Sequence, residues 1–254
     1  MIIAADIGNS TINIGLFTDQ GLIVQEIKTW PLKPPRDYIR IIAGYLRETG
    51  IDKKPEGCII SSVVPEHTES IKAAVADLSG SEPVMVSCRI DTGIRFDIPH
   101  PDKLGADRIS NIVAAYEYCK GPAAVVDFGT ATTISVVGNS ANFIGGAILP
   151  GLGIMSQSLD RGTAQLSEVI LSPPQQALGI DTDGCIRSGL FWGMSGAVER
   201  LLAEIRKEVG YSLTIITTGG YAGIISPFLT QEHLLYPELA MHGLQLLYMR
   251  NSHE

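Results

Sequence analysis

The chain predicts an α/β protein of two similar halves that face each other across a cleft. Three observations carry this. The stretch "AADIGNSTINIG" (4–15) ends an apolar run with Asp6 and follows it with Gly8, Asn9, Ser10 and Thr11. "AAVVDFGTATTISVV" (123–137) repeats the design with Asp127, Gly129, Thr130, Thr132 and Thr133. Between and after them, strand-like and helix-like segments alternate, the pattern of an α/β sheet. A third glycine turn, "TIITTGGYAG" (214–223), again follows a β-branched run.

Each element has its own signal. "DQGLIVQEIKTW" reads as a further strand, and "PPRDYIRIIAGYLRETG" as a helix with Tyr38, Ile41, Ile42 and Leu46 on one stripe and a stop at Gly50. "GCIISSVVP" reads as a buried strand closed by Pro65, "EHTESIKAAVADLSG" as a helix and "PVMVSC" as a strand. Residues 91–103, with two prolines and no periodicity, read as a loop between the halves. "LGADRISNIVAAYEYCKG" places Ile109, Ile112, Val113 and Tyr116 at helical spacing, with Gly121 as its stop. After the Asp127 hairpin, "NFIGGAILPGLGIMSQSLDRG" predicts a strand, a turn and a short helix. A long helix follows, "DGCIRSGLFWGMSGAVERLLAEIRKEVG", capped by Thr182 or Asp183 and carrying Gly189, Gly193 and Gly196 as a face for close packing. "ELAMHGLQLLYMR" closes the chain as an amphipathic helix.

Composition limits the function classes. With 45% apolar residues and a mean hydropathy of +0.19, the 254 residues supply ample core. The formal charge of −8, without a Lys/Arg cluster, argues against a nucleic-acid partner. No apolar run has the length of about 18 to 20 needed to span a bilayer. Cys58, Cys88, Cys119 and Cys185 lie far apart with no C-x-x-C pair, which fits reduced thiols in a cytoplasmic protein. The five histidines are scattered and read as surface or packing residues rather than metal ligands.

A single D-x-G turn reads first as a plain β-hairpin, and otherwise as a phosphate site. In the second case backbone N–H groups and hydroxyls hold phosphate oxygens while the acid holds the accompanying Mg²⁺. Two such turns favour phosphoryl transfer, which needs positioned phosphates, charge neutralisation and an oriented nucleophile. Asp107, in the first turn of its helix beside Arg108, is the candidate base for an acceptor hydroxyl. It reads equally as a residue that only stabilises its own helix. The helix dipole and Arg108 are expected to favour its ionised form and limit its basicity. Arg108 could clamp a substrate carboxylate or stay solvated. P-loop, serine-hydrolase and zinc-protease motifs are absent.

Taken in order, "DIGNST", "SSVVP", "LGADR", "VVDFGTATT", "GGAILPG", "TDGCIRSG" and "TTGG" resemble the signature of type III pantothenate kinases, members of the acetate kinase, sugar kinase and actin superfamily. The resemblance implies two duplicated ribonuclease H-like halves (an actin-like ATPase fold) around a central cleft, with residues 1–103 and 104–254 as the halves. It implies ATP-dependent phosphorylation of pantothenate to 4′-phosphopantothenate, the first step of coenzyme A biosynthesis, in a cytoplasmic homodimer with sites at the subunit interface. Asp6, Ile7, Gly8, Asn9, Ser10, Thr11, Ile12, Asn13 and Thr130 are then ATP contacts, with Asp6 near Mg²⁺. Gly105, Ala106, Asp107 and Arg108 contact pantothenate, Asp107 as proton acceptor, and Thr182 contacts it from the partner subunit. Asp127 matches a site for K⁺ or NH₄⁺ rather than for a second Mg²⁺. Two stretches depart from the pattern. Ile98 and His100 stand where the family has an aromatic residue and Asn, and "YPELAMHGL" replaces an acidic Leu-Thr-Leu stretch. The alternatives are another small-molecule kinase of the superfamily and a non-catalytic nucleotide-binding regulator.

Overall fold

The computed structural model describes residues 1–50 and 54–252. Strands β1 (Ile2–Ile7), β2 (Thr11–Thr18) and β3 (Gly21–Lys28) form a meander, followed by helix α1 (Pro35–Glu48), β4 (Gly57–Ser62), α2 (Pro65–Ser79) and the short β5 (Val84–Met85). Then come β6 (Arg95–Phe96), a 3-10 turn at Pro101–Lys103, and α3 (Ala106–Cys119). A second meander, β7 (Ala123–Phe128), β8 (Ala131–Gly138) and β9 (Asn142–Pro150), leads to α4 (Leu152–Gly162) and the long α5 (Thr182–Val209). Strand β10 (Thr214–Thr218), the short α6 (Ala222–Ile225), β11 (Leu234–Leu235) and α7 (Leu239–Asn251) complete the chain.

The duplication read from the two D-x-G turns is visible in the sheets. One runs β3-β2-β1-β4-β5, and the other contains the matching order β9-β8-β7-β10-β11. In each, the strand that carries the acid pairs antiparallel with its hairpin partner and parallel with the strand on its other side. Asp6 and Asp127 occupy corresponding places near the ends of β1 and β7.

Two compact units result: Met1–Ala114 with Leu239–Glu254, and Ala115–Glu238. The first is built on Ile3, Ala5, Ile7, Ile14 and Ile60 against Tyr38, Ile42, Ile71 and Val75 of α1 and α2. The second is built on Val126, Phe128, Ile134 and Val136 against Leu190, Phe191, Met194 and Val198 of α5. The sequence places the division at 103/104, in the proline-bearing stretch, whereas the units divide within α3, after Ala114, and α7 returns to the first unit.

Local chemistry explains other departures from the sequence reading. Pro65 begins α2 at the first helical position, where its missing N–H is harmless, and β4 already ends at Ser62. Only Val84–Met85 of "PVMVSC" pairs as strand. The 91–103 stretch holds β6 and the 3-10 turn rather than loop alone. Lys120, with φ 49°, takes the left-handed conformation after α3, one residue before Gly121. Asp181 caps α5 by accepting from Gly184 N at 2.7 Å, so Thr182 and Asp183 lie inside the first turn. Methyl groups at Gly189, Gly193 and Gly196 would meet nothing within 4 Å, so that face of α5 is not packed within the described residues. The four cysteines are free. His67 packs in the core with Nδ1 2.8 Å from Tyr38 Oη, and burial lowers its pKa.

Candidate active site

The β1–β2 turn is a braced loop. Gly8 N donates to Thr11 O at 2.9 Å, Thr29 N donates to Ser10 O at 3.1 Å, and the buried Thr29 hydroxyl donates to Gly8 O at 2.7 Å. Residues 6–13 thus lie on one hairpin whose tip is held from outside by Thr29. At its base, Asp6 is in register with Asn13 on β2 and with Ser61 on β4. The Ser61 hydroxyl is fully buried and has no hydrogen-bond partner among the described residues.

Val63 joins this hairpin to the α3 start. Its N–H donates to Ile7 O at 3.1 Å, and its Cγ1 lies 3.5 Å from where a Cβ on Gly105 would stand. "DIGNST", "SSVVP" and "LGADR", scattered over about 100 residues of sequence, therefore meet at one end of the first sheet. Beside them opens a cavity of about 380 Å³, lined among others by Val63, Val86, Arg89, Leu104 and Gly105.

Asp107 begins the second position of α3, and its Oδ1 accepts from Arg108 N at 2.7 Å. The carboxylate folds back over Gly105, where a methyl group would overlap Oδ1. Burial raises its pKa above the ordinary carboxylate range, against the opposing pull of the Arg108 N–H and the Arg108 charge. The sequence reading expected the opposite direction from the helix dipole and Arg108. Desolvation of the half-buried carboxylate outweighs both. Burial likewise lowers the Arg108 pKa, with the Asp107 charge opposing.

In the second unit, three turns converge on Asp127. Gly219 (φ 95°) passes so near that a methyl group there would overlap Asp127 Oδ1 and sit 2.7 Å from Phe128 C. Tyr221 N donates to Phe128 O at 2.9 Å, and Gly151 N donates to Thr130 O at 3.1 Å. Asp127 and Thr130 are therefore neighbours in a close backbone cradle. Thr182 is exposed in the first turn of α5.

Comparison with known proteins gives the family and the fold. The family model for type III pantothenate kinase matches residues 2–204. This chain belongs to the type III pantothenate kinase family. A type III pantothenate kinase of Moorella thermoacetica is 34% identical over 254 residues, covering 99% of this chain and 100% of that protein. Another, from Roseiflexus sp. strain RS-1, is 36% identical, with 99% of each chain covered. Among solved structures, a ROK family glucokinase from Streptomyces griseus in complex with glucose and AMPPNP superposes with a TM-score of 0.56 at 12% identity. That alignment covers 96% of this chain and 98% of the glucokinase, which establishes the shared sugar-kinase and actin-like fold.

Thr29 and Val63 were not read from the sequence as functional positions. Thr29 carries no motif, and only the β2–β3 meander brings it beside Gly8. Val63 lies within "SSVVP", but its joining role emerges only when β4 lies next to β1.

Proposed function

We propose that this protein transfers the γ-phosphoryl group of ATP to the primary hydroxyl of pantothenate, giving 4′-phosphopantothenate for coenzyme A synthesis. The observation that carries this reading is the half-buried Asp107 carboxylate of raised pKa, which lies against Gly105 in the wall of a cavity also lined by Val63, whose N–H bonds Ile7 at the end of β1. A carboxylate whose pKa is lifted toward the working pH is a better proton acceptor than an ordinary one. Asp107 takes the proton of the attacking hydroxyl, Arg108 limits how far that pKa rises, and Gly105 and Ala106 form the wall beside the acceptor.

Backbone N–H groups of residues 7–13, with the Ser10 and Thr11 hydroxyls and the Asn9 and Asn13 amides, hold the nucleotide phosphates. Thr130 supplies a further ATP contact. The oxygens of Asp6 and of the unpaired Ser61 hydroxyl are hard donors that suit Mg²⁺ arriving with the nucleotide. Asp127 and the nearby backbone carbonyls, brought together because Gly219 has no side chain, are the oxygen donors proposed to hold a monovalent cation, K⁺ or NH₄⁺. When bound, these cations neutralise phosphate charge and fix its position.

A homodimer completes the proposal, with Thr182 of the partner subunit contacting the substrate. Ile170, Leu178 and Ile180 are 83%, 77% and 85% exposed, and with Trp192 and the open glycine face of α5 they are the apolar surface such an interface would cover. No helix among the described residues is long and apolar enough to cross a membrane. A cytoplasmic enzyme acting on free small molecules, without a nucleic-acid partner, is the setting proposed.

The test is ADP release by the purified protein with Mg-ATP, with and without pantothenate, in potassium and in sodium buffer. Pantothenate-dependent release that needs potassium is expected. Release that ignores pantothenate contradicts the substrate, and equal rates in both buffers contradict the Asp127 cation site.

A further inference from the structure

Building on the pantothenate reading, we propose that Arg89 selects the acceptor by holding its carboxylate at the end of the cavity away from Asp107. Pantothenate is chemically polarised. The hydroxyl to be phosphorylated lies at one end next to a gem-dimethyl group, and a carboxylate lies at the other. Gly105 and Ala106, the two residues before Asp107, line the cavity, and the Asp107 carboxylate lies against Gly105, so the acceptor hydroxyl is assigned to that part of the cavity. Val63, Val86 and Leu104 in the same lining provide apolar wall for the dimethyl carbon. A carboxylate then has to be met farther along.

Arg89 is the basic side chain of that lining. It is exposed, its backbone N–H is tied to Ser87 Oγ at 3.3 Å, and among the described residues its guanidinium makes no ion pair. It can therefore engage a carboxylate in bidentate fashion without giving up an existing partner. Arg108 is differently placed, half-buried beside Asp107, where burial lowers its pKa and the Asp107 charge opposes. Asp102 also lines the cavity and repels a carboxylate, which leaves the Arg89 side as the favourable position. This assigns the two arginines separate duties, Arg108 at the acceptor hydroxyl and Arg89 at the far carboxylate.

The experiment compares wild type, Arg89→Ala and Arg89→Lys with pantothenate and with pantothenol, the neutral alcohol that lacks the carboxylate, used as acceptor or as competitive inhibitor. Arg89→Ala should raise KM for pantothenate by about tenfold or more, with kcat and the KM for ATP nearly unchanged, the pattern of lost uniform binding. Arg89→Lys should recover part of that loss. The KM or Ki for pantothenol should be the same in wild type and Arg89→Ala. An unchanged pantothenate KM, or an equal loss toward pantothenol, overturns the assignment while leaving the activity standing. Wild type that does not turn over pantothenate overturns both.

Discussion

The Asp107 carboxylate occupies the space that a side chain on Gly105 would need. A residue two positions away thus sets where the proposed proton acceptor points, and the absence of a Cβ is what lets the carboxylate fold back over its own helix start. Gly105→Ala should lower kcat by about 10- to 100-fold, the scale on which displacement of a catalytic group by about 1 Å acts. Its melting temperature should change little by comparison. Steady-state kinetics alongside thermal unfolding checks this, and wild-type kcat in Gly105→Ala would contradict it.

Asp107 should also govern the acid side of the pH profile. Its folded pKa is raised, so the base form is lost as pH falls through a value above the usual carboxylate pKa of about 3.9. The sign for stability is the reverse of that for an ion-paired acid. The folded protein is favoured below the unfolded pKa, and that contribution disappears as pH rises through the folded one. A plot of kcat/KM against pH should show an acid limb lying above about 3.9, and Asp107→Asn should remove turnover across the range while ATP still binds.

Thr29 braces the β1–β2 turn, the proposed phosphate site, from β3's far end through its 2.7 Å bond to Gly8 O. Thr29→Val keeps the shape but removes the donor, and should cost about 1 kcal/mol of stability. The larger effect expected is a several-fold rise in KM for ATP, measured at saturating pantothenate. Loss of stability with an unchanged ATP KM would reduce Thr29 to a purely structural residue.

Gly219 tests the second unit. Its φ of 95° strains any L side chain, and a methyl group would collide with Asp127 and the Phe128 backbone. Gly219→Ala should destabilise the protein by about 1 kcal/mol or more and blunt the response of turnover to potassium, read as initial rates across a potassium titration.

Much of this was legible in the chain before its structure. The D-x-G turns reveal themselves because an apolar β-branched run followed by an acid, a glycine and hydroxyls has few other uses, and their repetition marks the duplicated sheets. Interactions set by tertiary burial were not legible. The pKa of Asp107 was read in the wrong direction because dipole and neighbour charge are visible in sequence, whereas desolvation is not. Thr29 was passed over because its partner lies 21 residues earlier and only strand pairing joins them. Helix ends slipped for local reasons: Asp181 competes for the N-cap of α5 with Thr182, a residue of similar capping aptitude, and Lys120 takes the left-handed position although Gly121, the residue better suited to it, comes next.

The most direct measurement of the central claim is product analysis by mass spectrometry after incubating the protein with Mg-ATP and pantothenate in potassium buffer, wild type beside Asp107→Asn. The account predicts 4′-phosphopantothenate from the wild type and essentially none from a folded, ATP-binding Asp107→Asn. Equal product from the two proteins, or none from the wild type, would contradict it.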